Sequence, residues 1–388
     1  MRVFIAPTYR HSDIKGDGGI RRVSEALWRY LPEFDVQPVD NPEEAELLNL
    51  HGASLYEKPD TPIVASCHGL YWNEYKFPAW ADETNRVVTE IMARAQAVTA
   101  PSHWVAHAIT RGMLVRPVIC HHGVETDDWQ HPYAPEGYVL WNKARFDAVS
   151  NPDELDNLAH IMHSQKFVTT FGTPTQNVEV VGPMGYAEMQ PLIQRAGVYL
   201  ATARETFGIG TLEALASGIP VAGWDYGGQS EIIRAGETGY LATPGDSAEL
   251  GECVARCLRE RRRLSQNARQ DAIERWNWRD KIERYAVVFH QVLAEWHKPR
   301  PKVSVIVTCH NLGRFLSECL TSVQRQSLTD WECLIVDDQS TDETQAIAEG
   351  FVHQDRRFVY ALTSENLKLS GARNYGFSLS KGDRKSVV

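Results

Sequence analysis

The feature that most constrains this chain is an alternation of short apolar runs with longer amphipathic segments. Runs such as VFIA at 3–6 and VYLA at 198–201 lead through loops into segments whose apolar residues recur at helical spacing. Continuous apolar runs of this length, separated by helices, are typical of strands that a parallel sheet buries on both faces. The alternation therefore predicts a parallel α/β fold.

Breaks in this alternation divide the chain. The segment QHPYAPEG at 130–137 interrupts both periodicities, and the Pro-containing segment HKPRP at 297–301 runs directly into a new apolar strand. The expected units are an α/β domain over 1–130, a second over 137–275, a helical segment and linker over 276–298, and a shorter α/β fragment over 301–388.

Charge and cysteine content narrow the functions that the chain can have. It carries 40 basic and 50 acidic residues, for a formal charge of −10, which argues against nucleic acid as a partner. No apolar run approaches the roughly 18 residues that span a bilayer, and no signal-peptide pattern opens the chain, so we expect a cytoplasmic protein. The cysteines are scattered without a C-x-x-C pair, so we expect reduced thiols and no metal site.

The most informative stretch follows the strand that ends at Ala203. A loop carries Glu205, and a helix bearing Glu213 begins near Gly208. The free N–H groups at such a helix start suit a diphosphate, Glu213 could accept the hydroxyls of a ribose, and Glu205 could accept hydroxyls of a transferred sugar. By themselves, the two carboxylates could equally be a helix-dipole partner and a surface helix residue.

Glu205 and Glu213, with the blocks ASGIPV and GGQSEII that follow, resemble the signature of family 4 glycosyltransferases. The resemblance runs from Met1 to about Trp296. It implies the GT-B fold, in which two Rossmann-like domains face each other across a cleft and a helix near the end crosses back to brace the first domain. It also implies retaining transfer of a sugar from a nucleotide sugar to a glycan or other hydroxyl acceptor, as in polysaccharide biosynthesis. The donor contacts that it implies in this loop are Thr206, Phe207, Gly208, Ile209 and Glu213, with Glu205 in a catalytic role.

Two motifs of the first domain extend this resemblance. GDGGIRRVSEAL is similar to the family's glycine loop, which implies that Gly18 and Gly19 contact the donor through their backbone. VASCHGLYW resembles the segment whose histidine approaches the transferred sugar, and this places His68 in the catalytic cleft. VICHHGV departs from the family pattern, because His122 stands where Asn is usual, and the roles of His121 and His122 stay open.

The second domain opens with YVLWNKARF, an imperfect match to the family's Arg and Lys that contact the donor diphosphate. Lys143 and Arg145 are the cations in this stretch, and they would stabilise the leaving nucleoside diphosphate without a metal ion. We therefore expect neither a metal nor another cofactor. The alternative is that both are solubility charges at a strand end.

The C-terminal segments VSVIVTCHN, CLIVDDQSTDET and GARNYGFSLSKGD resemble family 2 glycosyltransferases, which have the GT-A fold. This resemblance implies that Asp337, Asp338 and Arg373 surround a nucleotide. No Asp-x-Asp for a metal ion and no general base follow in the sequence. We interpret 301–388 as a truncated, partial GT-A-like fragment with a vestigial nucleotide site.

Other functions remain open on sequence alone. A noncatalytic sugar-nucleotide-binding protein or scaffold would carry the same motifs. An oxidoreductase is disfavoured because the amino-terminal loop lacks G-x-G-x-x-G with a ribose-binding acid about 20 residues later. A basic run leaves peripheral contact with anionic lipid as an alternative to a solvated helix face; it comprises Arg259, Arg261, Arg262 and Arg263. The donor base, the sugar, the acceptor and the oligomeric state are not encoded in any motif.

Overall fold

The computed structural model describes residues 1–8, 18–70, 79–113, 115–129, 136–143, 150, 153–297, 301–382 and 384–388. The chain divides into two compact units, Met1–Trp296, termed the first unit, and His297–Val388, termed the C-terminal unit. Within the described ranges, no helix is long and apolar enough to cross a membrane.

The first unit begins with a domain built on six parallel strands in the order β2-β1-β3-β4-β5-β6. Its elements are β1 (Arg2–Ala6), α1 (Gly19–Tyr30), β2 (Gln37–Val39), β3 (Leu47–His51), β4 (Ile63–Ser66), α2 (Trp80–Arg94), β5 (Ala97–Ala100), α3 (His103–Met113) and β6 (Val118–Ile119). Strands β3 and β4 are buried along their whole length, as expected for strands covered on both faces. Because these neighbours run parallel, His51 and the residues that follow Ser66 meet at one edge of the sheet.

A second domain of the first unit has six parallel strands in the order β12-β11-β10-β7-β8-β9. Its strands are β7 (Val139–Trp141), β8 (Phe167–Thr169), β9 (Val178–Val180), β10 (Val198–Ala201), β11 (Val221–Trp224) and β12 (Gly239–Ala242). Its helices are α4 (Asp153–Ile161), α5 (Tyr186–Gln194), α6 (Ile209–Ala216), α7 (Gln229–Ile232), α8 (Ser247–Arg259) and α9 (Arg261–Arg275). Strands β7 and β10 are parallel neighbours, so Lys143 and the loop before α6 lie at the same edge.

Helix α10 (Trp278–Trp296) follows the second domain and packs against the first. Tyr285 and Phe289 are buried in the same apolar cluster as α1. At its exposed side, the guanidinium Nε of Arg279 lies 2.7 Å from a carboxylate oxygen of Glu33. The helix therefore ties the two domains of the first unit together.

The C-terminal unit is a four-stranded parallel sheet in the order β15-β14-β13-β16. Its elements are β13 (Val303–Cys309), α11 (Gly313–Gln324), β14 (Trp331–Asp337), α12 (Thr344–Gln354), β15 (Phe358–Leu362), α13 (Lys368–Leu379) and β16 (Arg384–Val387). Helices α11 and α12 pack on one face of this sheet and α13 packs on the other. The predicted α/β fold, with two Rossmann-like sheets and a third α/β unit, is confirmed.

Three strands, β2, β12 and β16, were not predicted from the apolar runs, and each lies at the edge of its sheet. An edge strand pairs on one side only, so it can be short and can contain residues that a central strand excludes. Strand β2 contains Pro38, which has no N–H to donate, and β16 begins with Arg384 and Lys385. The C-terminal unit thereby has a strand beside β13 where the sequence suggested none.

Candidate active site

The loop from β10 into α6 ends at a glycine with a left-handed backbone. Gly208 has φ 110° and ψ 64° and forms the N-cap of α6, a conformation that favours glycine. Gly208 has no side chain that could cap this end of the helix, and the first turn of α6 contains no acidic residue. The amide groups of a first helical turn have no partner within the helix. This end of α6 therefore presents hydrogen-bond donors and partial positive charge to an anion.

An ion pair lies close to this helix end. Nζ of Lys143 is 2.6 Å from Oε1 of Glu205. The hydroxyl of Thr170 accepts a hydrogen bond from the backbone N–H of Lys143 and donates one to its carbonyl oxygen, so the loop is fixed. Tyr199 connects the pair to α6, because a Cβ on Gly210 would lie 2.6 Å from the Tyr199 hydroxyl. Burial alone would lower the pKa of Lys143, but Glu205 and Tyr199 outweigh burial and raise it, so the ammonium stays charged.

Glu213 lies deeper along α6 and pairs with Arg22 of α1. Its side chain is only 5% exposed. The Arg22 guanidinium also lies 4.5 Å from the ring centroid of Tyr186. Beside the pair is a cavity of about 450 Å³, lined also by Trp129 and Tyr186. A buried carboxylate next to aromatic rings can accept two hydroxyl hydrogen bonds, which suits a diol.

Two glycines of the first domain allow its loops to approach α6. A Cβ on Gly19 would lie 3.3 Å from Cδ1 of Ile209, so the starts of α1 and α6 are adjacent. Gly69 has φ 121°, and a Cβ there would lie 2.3 Å from Cγ2 of Thr206, which excludes any larger residue. Gly18 is exposed at the N-cap of α1 and has open space around it. The start of α1 and the loop after β4 therefore both lie next to the loop at 206–209.

His68 belongs to a hydrogen-bonded chain that begins inside the first sheet. Its Nε2 is 2.9 Å from Nδ1 of His51, and Nε2 of His51 is 2.6 Å from Oδ1 of Asn49. The Asn49 amide nitrogen donates to the Val64 carbonyl and to the Ser66 hydroxyl, which fixes which end of the amide faces His51.

These hydrogen bonds determine the tautomers of both histidines. Because Oδ1 of Asn49 can only accept, Nε2 of His51 carries the proton and its Nδ1 accepts from Nε2 of His68. Burial lowers the pKa of His68 to about 4, and burial with the nearby His68 lowers the pKa of His51 well below its ordinary value. Both rings are therefore neutral at pH 7. His68 keeps an unprotonated Nδ1 that can accept a hydrogen bond.

His122 is 5% exposed, and neither of its ring nitrogens has a hydrogen-bond partner among the described residues. Its ring lies 5.2 Å from that of His68 and 5.0 Å from that of Phe207, centroid to centroid. The adjacent Gly123 packs so tightly that a Cβ would lie 2.7 Å from Cα of Trp278. Phe207 itself is buried, so only its backbone is available for the predicted donor contact.

Polar contacts of the loop at 206–209 and of α7 also join the two domains of the first unit. The Ser102 hydroxyl donates to the Thr206 carbonyl at 2.8 Å. The carboxylate of Glu231, on α7, accepts the backbone N–H groups of His103 and Trp104, each at 3.0 Å. Burial would raise the pKa of Glu231, but hydrogen bonds from His121 and His103 outweigh it and lower the pKa to about 2.

Several of these residues were not predicted from the sequence, namely Arg22, Asn49, His51, Tyr199 and Glu231. Asn49 and His51 interrupt the otherwise apolar run LLNLH, and polar side chains within a buried strand are a signal that would have identified them. Arg22 and Glu231 stand inside motifs that the sequence singled out. Nothing local distinguishes them, because their partners come from the other domain. The predicted cation Arg145 lies outside the described residues.

The predicted site of the C-terminal unit has a different structure. Asp337 and Asp338 are 0% and 4% exposed and accept hydrogen bonds from groups of their own unit. Arg373 is exposed on α13, and no hydrogen bond or ion pair joins it to either aspartate. The two aspartates therefore lie at the end of β14, whereas Arg373 lies on α13 and makes no direct polar contact with them.

Comparison with protein families finds a segment in each unit that is similar to a glycosyltransferase family. Residues 173–273 match the family model of Glycosyl transferases group 1, and residues 304–388 match that of Glycosyl transferase family 2. The first match contains the loop with Glu205 and helix α6. The second contains nearly all of the C-terminal unit. The resemblance of the two units to two different glycosyltransferase families is confirmed.

Two curated relatives illustrate how much is shared. Glycosyltransferase GlyG of Streptococcus pneumoniae is 37% identical over 87 residues, which are 22% of this chain and 29% of that protein. The N-acetyl-alpha-D-glucosaminyl L-malate synthase of Bacillus anthracis is 30% identical over 99 residues, which are 25% of this chain and 26% of that protein. The chain thus spans less than a third of the length of these relatives.

Solved structures extend the likeness to about three quarters of the chain. Anabaena Alr3699/HepE in complex with UDP-glucose has a TM-score of 0.58 at 16% identity, over 75% of this chain and 99% of that chain. AviGT4, a glycosyltransferase involved in avilamycin A biosynthesis, has a TM-score of 0.54 at 18% identity, over 76% of this chain and 98% of that chain. At these identities the likeness shows the fold alone. The GT-B arrangement of two facing Rossmann-like domains is confirmed.

Proposed function

We propose that the first unit is a retaining glycosyltransferase that moves a sugar from a nucleotide-sugar donor to a glycan or other hydroxyl acceptor without a metal ion. The observation that carries this proposal is the uncapped start of α6, with the Lys143–Glu205 pair beside it and Glu213 behind it. Glu205, the start of α6 and Glu213 lie in the part of the chain that matches group 1 glycosyltransferases, and Lys143 precedes that part.

The donor diphosphate binds at the start of α6. The helix amides bind its oxygens, and Lys143 supplies a full positive charge to the leaving group. Glu205 sits 2.6 Å from the Lys143 ammonium and so fixes its direction. The departing diphosphate needs positive charge that is already in place. In metal-dependent enzymes, a metal ion supplies this stabilisation.

The sugar and the ribose are held by acceptor atoms. Glu213 accepts the ribose hydroxyls from the cavity side, in exchange for Arg22. Nδ1 of His68 accepts a hydrogen bond from one hydroxyl of the transferred sugar, since Nε2 of His68 is hydrogen-bonded to His51. Glu205 accepts a hydrogen bond from a second hydroxyl of the sugar. All three groups are neutral or anionic acceptors, which suits a ligand whose hydroxyls all donate.

Retention follows from front-side transfer rather than from a covalent intermediate. A nucleophilic carboxylate must be free to attack the anomeric carbon. Glu205 is held by the Lys143 ammonium, and Glu213 is buried against Arg22. With both carboxylates engaged, the acceptor oxygen bonds to the anomeric carbon on the face where the bond to the diphosphate breaks, and the acceptor's proton passes to the departing diphosphate.

HepE was solved with UDP and with UDP-glucose, which makes uridine diphosphate sugars the first donors to test. Thermal shift with UDP-, GDP- and ADP-sugars identifies the donor. Transfer to hydroxyl acceptors is then measured with and without EDTA, and the anomeric configuration of the product is read by NMR. We expect transfer in EDTA and a retained anomer.

Each part of the proposal has its own failing result. Donor binding with neither hydrolysis nor transfer would indicate a noncatalytic sugar-nucleotide-binding protein. An inverted product would contradict front-side transfer. Activity that is lost in EDTA and restored by Mg²⁺ or Mn²⁺ would contradict the metal-free mechanism.

A further inference from the structure

Three side chains that the proposed reaction does not use converge where the two domains of the first unit meet. His103 opens α3, His121 follows β6, and Glu231 lies on α7 of the second domain. Oε2 of Glu231 is 2.9 Å from Nδ1 of His103 and 3.3 Å from Nε2 of His121. One ligand atom from each of the three residues lies within 4.8 Å of the other two.

These separations are close to those of a metal site. Zinc binds imidazole nitrogen and carboxylate oxygen at about 2.0–2.2 Å, which places neighbouring ligands of a tetrahedral site about 3.3–3.5 Å apart. The two separations from the carboxylate oxygen fall within a few tenths of an ångström of that range. Small side-chain rotations suffice to turn both ring nitrogens toward a common ion.

Two of the ligands are already held in place by their surroundings. The Glu231 carboxylate is fixed by the backbone N–H groups of His103 and Trp104. The His121 ring packs 5.6 Å from the Trp276 ring, edge to face. His103 is the exposed partner, since 70% of its side chain is accessible, and it leaves a route for an ion from solvent. Supporting contacts of this kind orient ligands in metal sites.

We propose that His103, His121 and Glu231 form a site for a divalent transition-metal ion, with Zn²⁺ as the probe, that clamps the two domains of the first unit together. Two imidazoles and one carboxylate suit Zn²⁺ and leave a fourth position for water. Mg²⁺ prefers oxygen ligands and does not compete. A bound ion would link the two domains, because two of its ligands come from the first domain and one comes from the second.

The site has a consequence for turnover that rests on the proposed function. An ion that binds only when the domains touch stabilises that arrangement. Donor and product pass between the domains, so bound Zn²⁺ slows turnover while taking no part in the transfer itself. Metal-free chemistry at α6 and a metal clamp at α7 are therefore compatible.

The test is a titration of Zn²⁺ into the full chain by isothermal titration calorimetry. We expect one equivalent to bind, and His103→Asn and His121→Asn to weaken binding at least about tenfold. His107→Asn is the matched control, since His107 is an exposed histidine of the same helix, and it should bind Zn²⁺ like the parent. The Co²⁺-loaded chain should show no thiolate-to-metal absorption, which separates this site from any of the cysteines.

Because Glu231 also holds the start of α3, a change there could unfold the domain, and the exposed His103 is the decisive position. If the parent binds no stoichiometric Zn²⁺, the three residues are an ordinary polar contact and the proposal is overturned. If folded His103→Asn and His121→Asn chains both bind Zn²⁺ like the parent, the ion lies elsewhere and the proposal is equally overturned. Both results are read without any transferase assay, so they stand apart from the proposed function.

Discussion

Acidic side chains follow parallel strands in both units, yet the two units hold them with different kinds of partner. In the C-terminal unit, Asp337 accepts the Ser340 backbone N–H at 2.8 Å, and Asp338 accepts the Leu367 backbone N–H at 2.7 Å. These donors are neutral groups of neighbouring loops. The aspartates hold those loops in place.

In the first unit, the corresponding carboxylates are held by cations. Glu205 pairs with Lys143, and Glu213 pairs with Arg22 of the facing domain. A side-chain cation can be shared with, or exchanged for, a charged ligand, whereas a backbone amide cannot move away without unfolding its loop. We therefore expect Glu205 and Glu213 to exchange their cations for a ligand, and Asp337 and Asp338 to stabilise the loops that they hold.

The largest effect should come from Lys143→Met. The substitution keeps the length of the side chain but removes the charge that meets the leaving diphosphate, and kcat should fall about 100- to 1,000-fold. Lys166→Met is the control, because Lys166 also forms an ion pair, with Glu179 at 2.8 Å, on the exposed surface. A kcat within threefold of the parent would show that Lys143 is not part of the reaction.

Glu213→Gln should weaken nucleotide binding. Losing one charged hydrogen bond costs about 1.5–3 kcal/mol, so the Kd for UDP should rise about 10- to 150-fold by calorimetry. Glu179→Gln removes an exposed carboxylate of the same domain and should leave the Kd unchanged. Equal Kd values for parent and Glu213→Gln would remove Glu213 from the donor site.

Asp338→Asn tests the other side of the comparison. Replacing the charged acceptor of the Leu367 amide should destabilise the C-terminal unit locally by about 1–3 kcal/mol, seen as faster hydrogen exchange around 363–367. Transfer should not change. Asp330→Asn, at an exposed position of the same unit, is the control. A loss of transfer beyond about tenfold would give Asp338 a role that its contacts do not suggest.

The buried histidines predict a pH dependence of stability. The pKa of His51 is lowered in the folded chain, so below about pH 6.5 the unfolded chain binds a proton that the native chain does not. The free energy of unfolding should therefore decrease as the pH is lowered below 6.5, by about 1.4 kcal/mol per pH unit for this group. His51→Gln should flatten the slope, and His107→Asn should not. Urea unfolding followed by tryptophan fluorescence reports the first unit, because all tryptophans except Trp331 precede residue 297. An unchanged slope in His51→Gln would mean that His51 is protonated in the native chain.

The smallest effect on transfer is expected from removing the C-terminal unit. A chain ending at Trp296 retains both sheets and α10, so its specific activity per folded molecule should match that of the full chain. A cut that also removes 248–296 deletes α8, α9 and α10 and should abolish folding. Loss of transfer in a folded chain ending at Trp296 would make the C-terminal unit part of the enzyme.

The parallel α/β architecture and the carboxylates Glu205 and Glu213 were accessible from the sequence because their signals are local. A buried strand is written as one continuous apolar run, and a helix start is marked by a glycine and the residues beside it. The edge strands β2, β12 and β16 carry a weaker signal, since one-sided pairing relaxes the need for apolar residues. The local sequence thus determined the framework and predicted two carboxylates of the candidate site.

Only the tertiary structure decided which groups meet in the site. Arg22 is 191 residues from Glu213, Lys143 is 62 from Glu205, and the His103 amide is 128 from Glu231. Each contact depends on how two strands or two domains pack, and no local pattern records which cation then faces which carboxylate. The same holds for the neutral state of His51, because burial lowers its pKa and burial is a property of the folded chain alone.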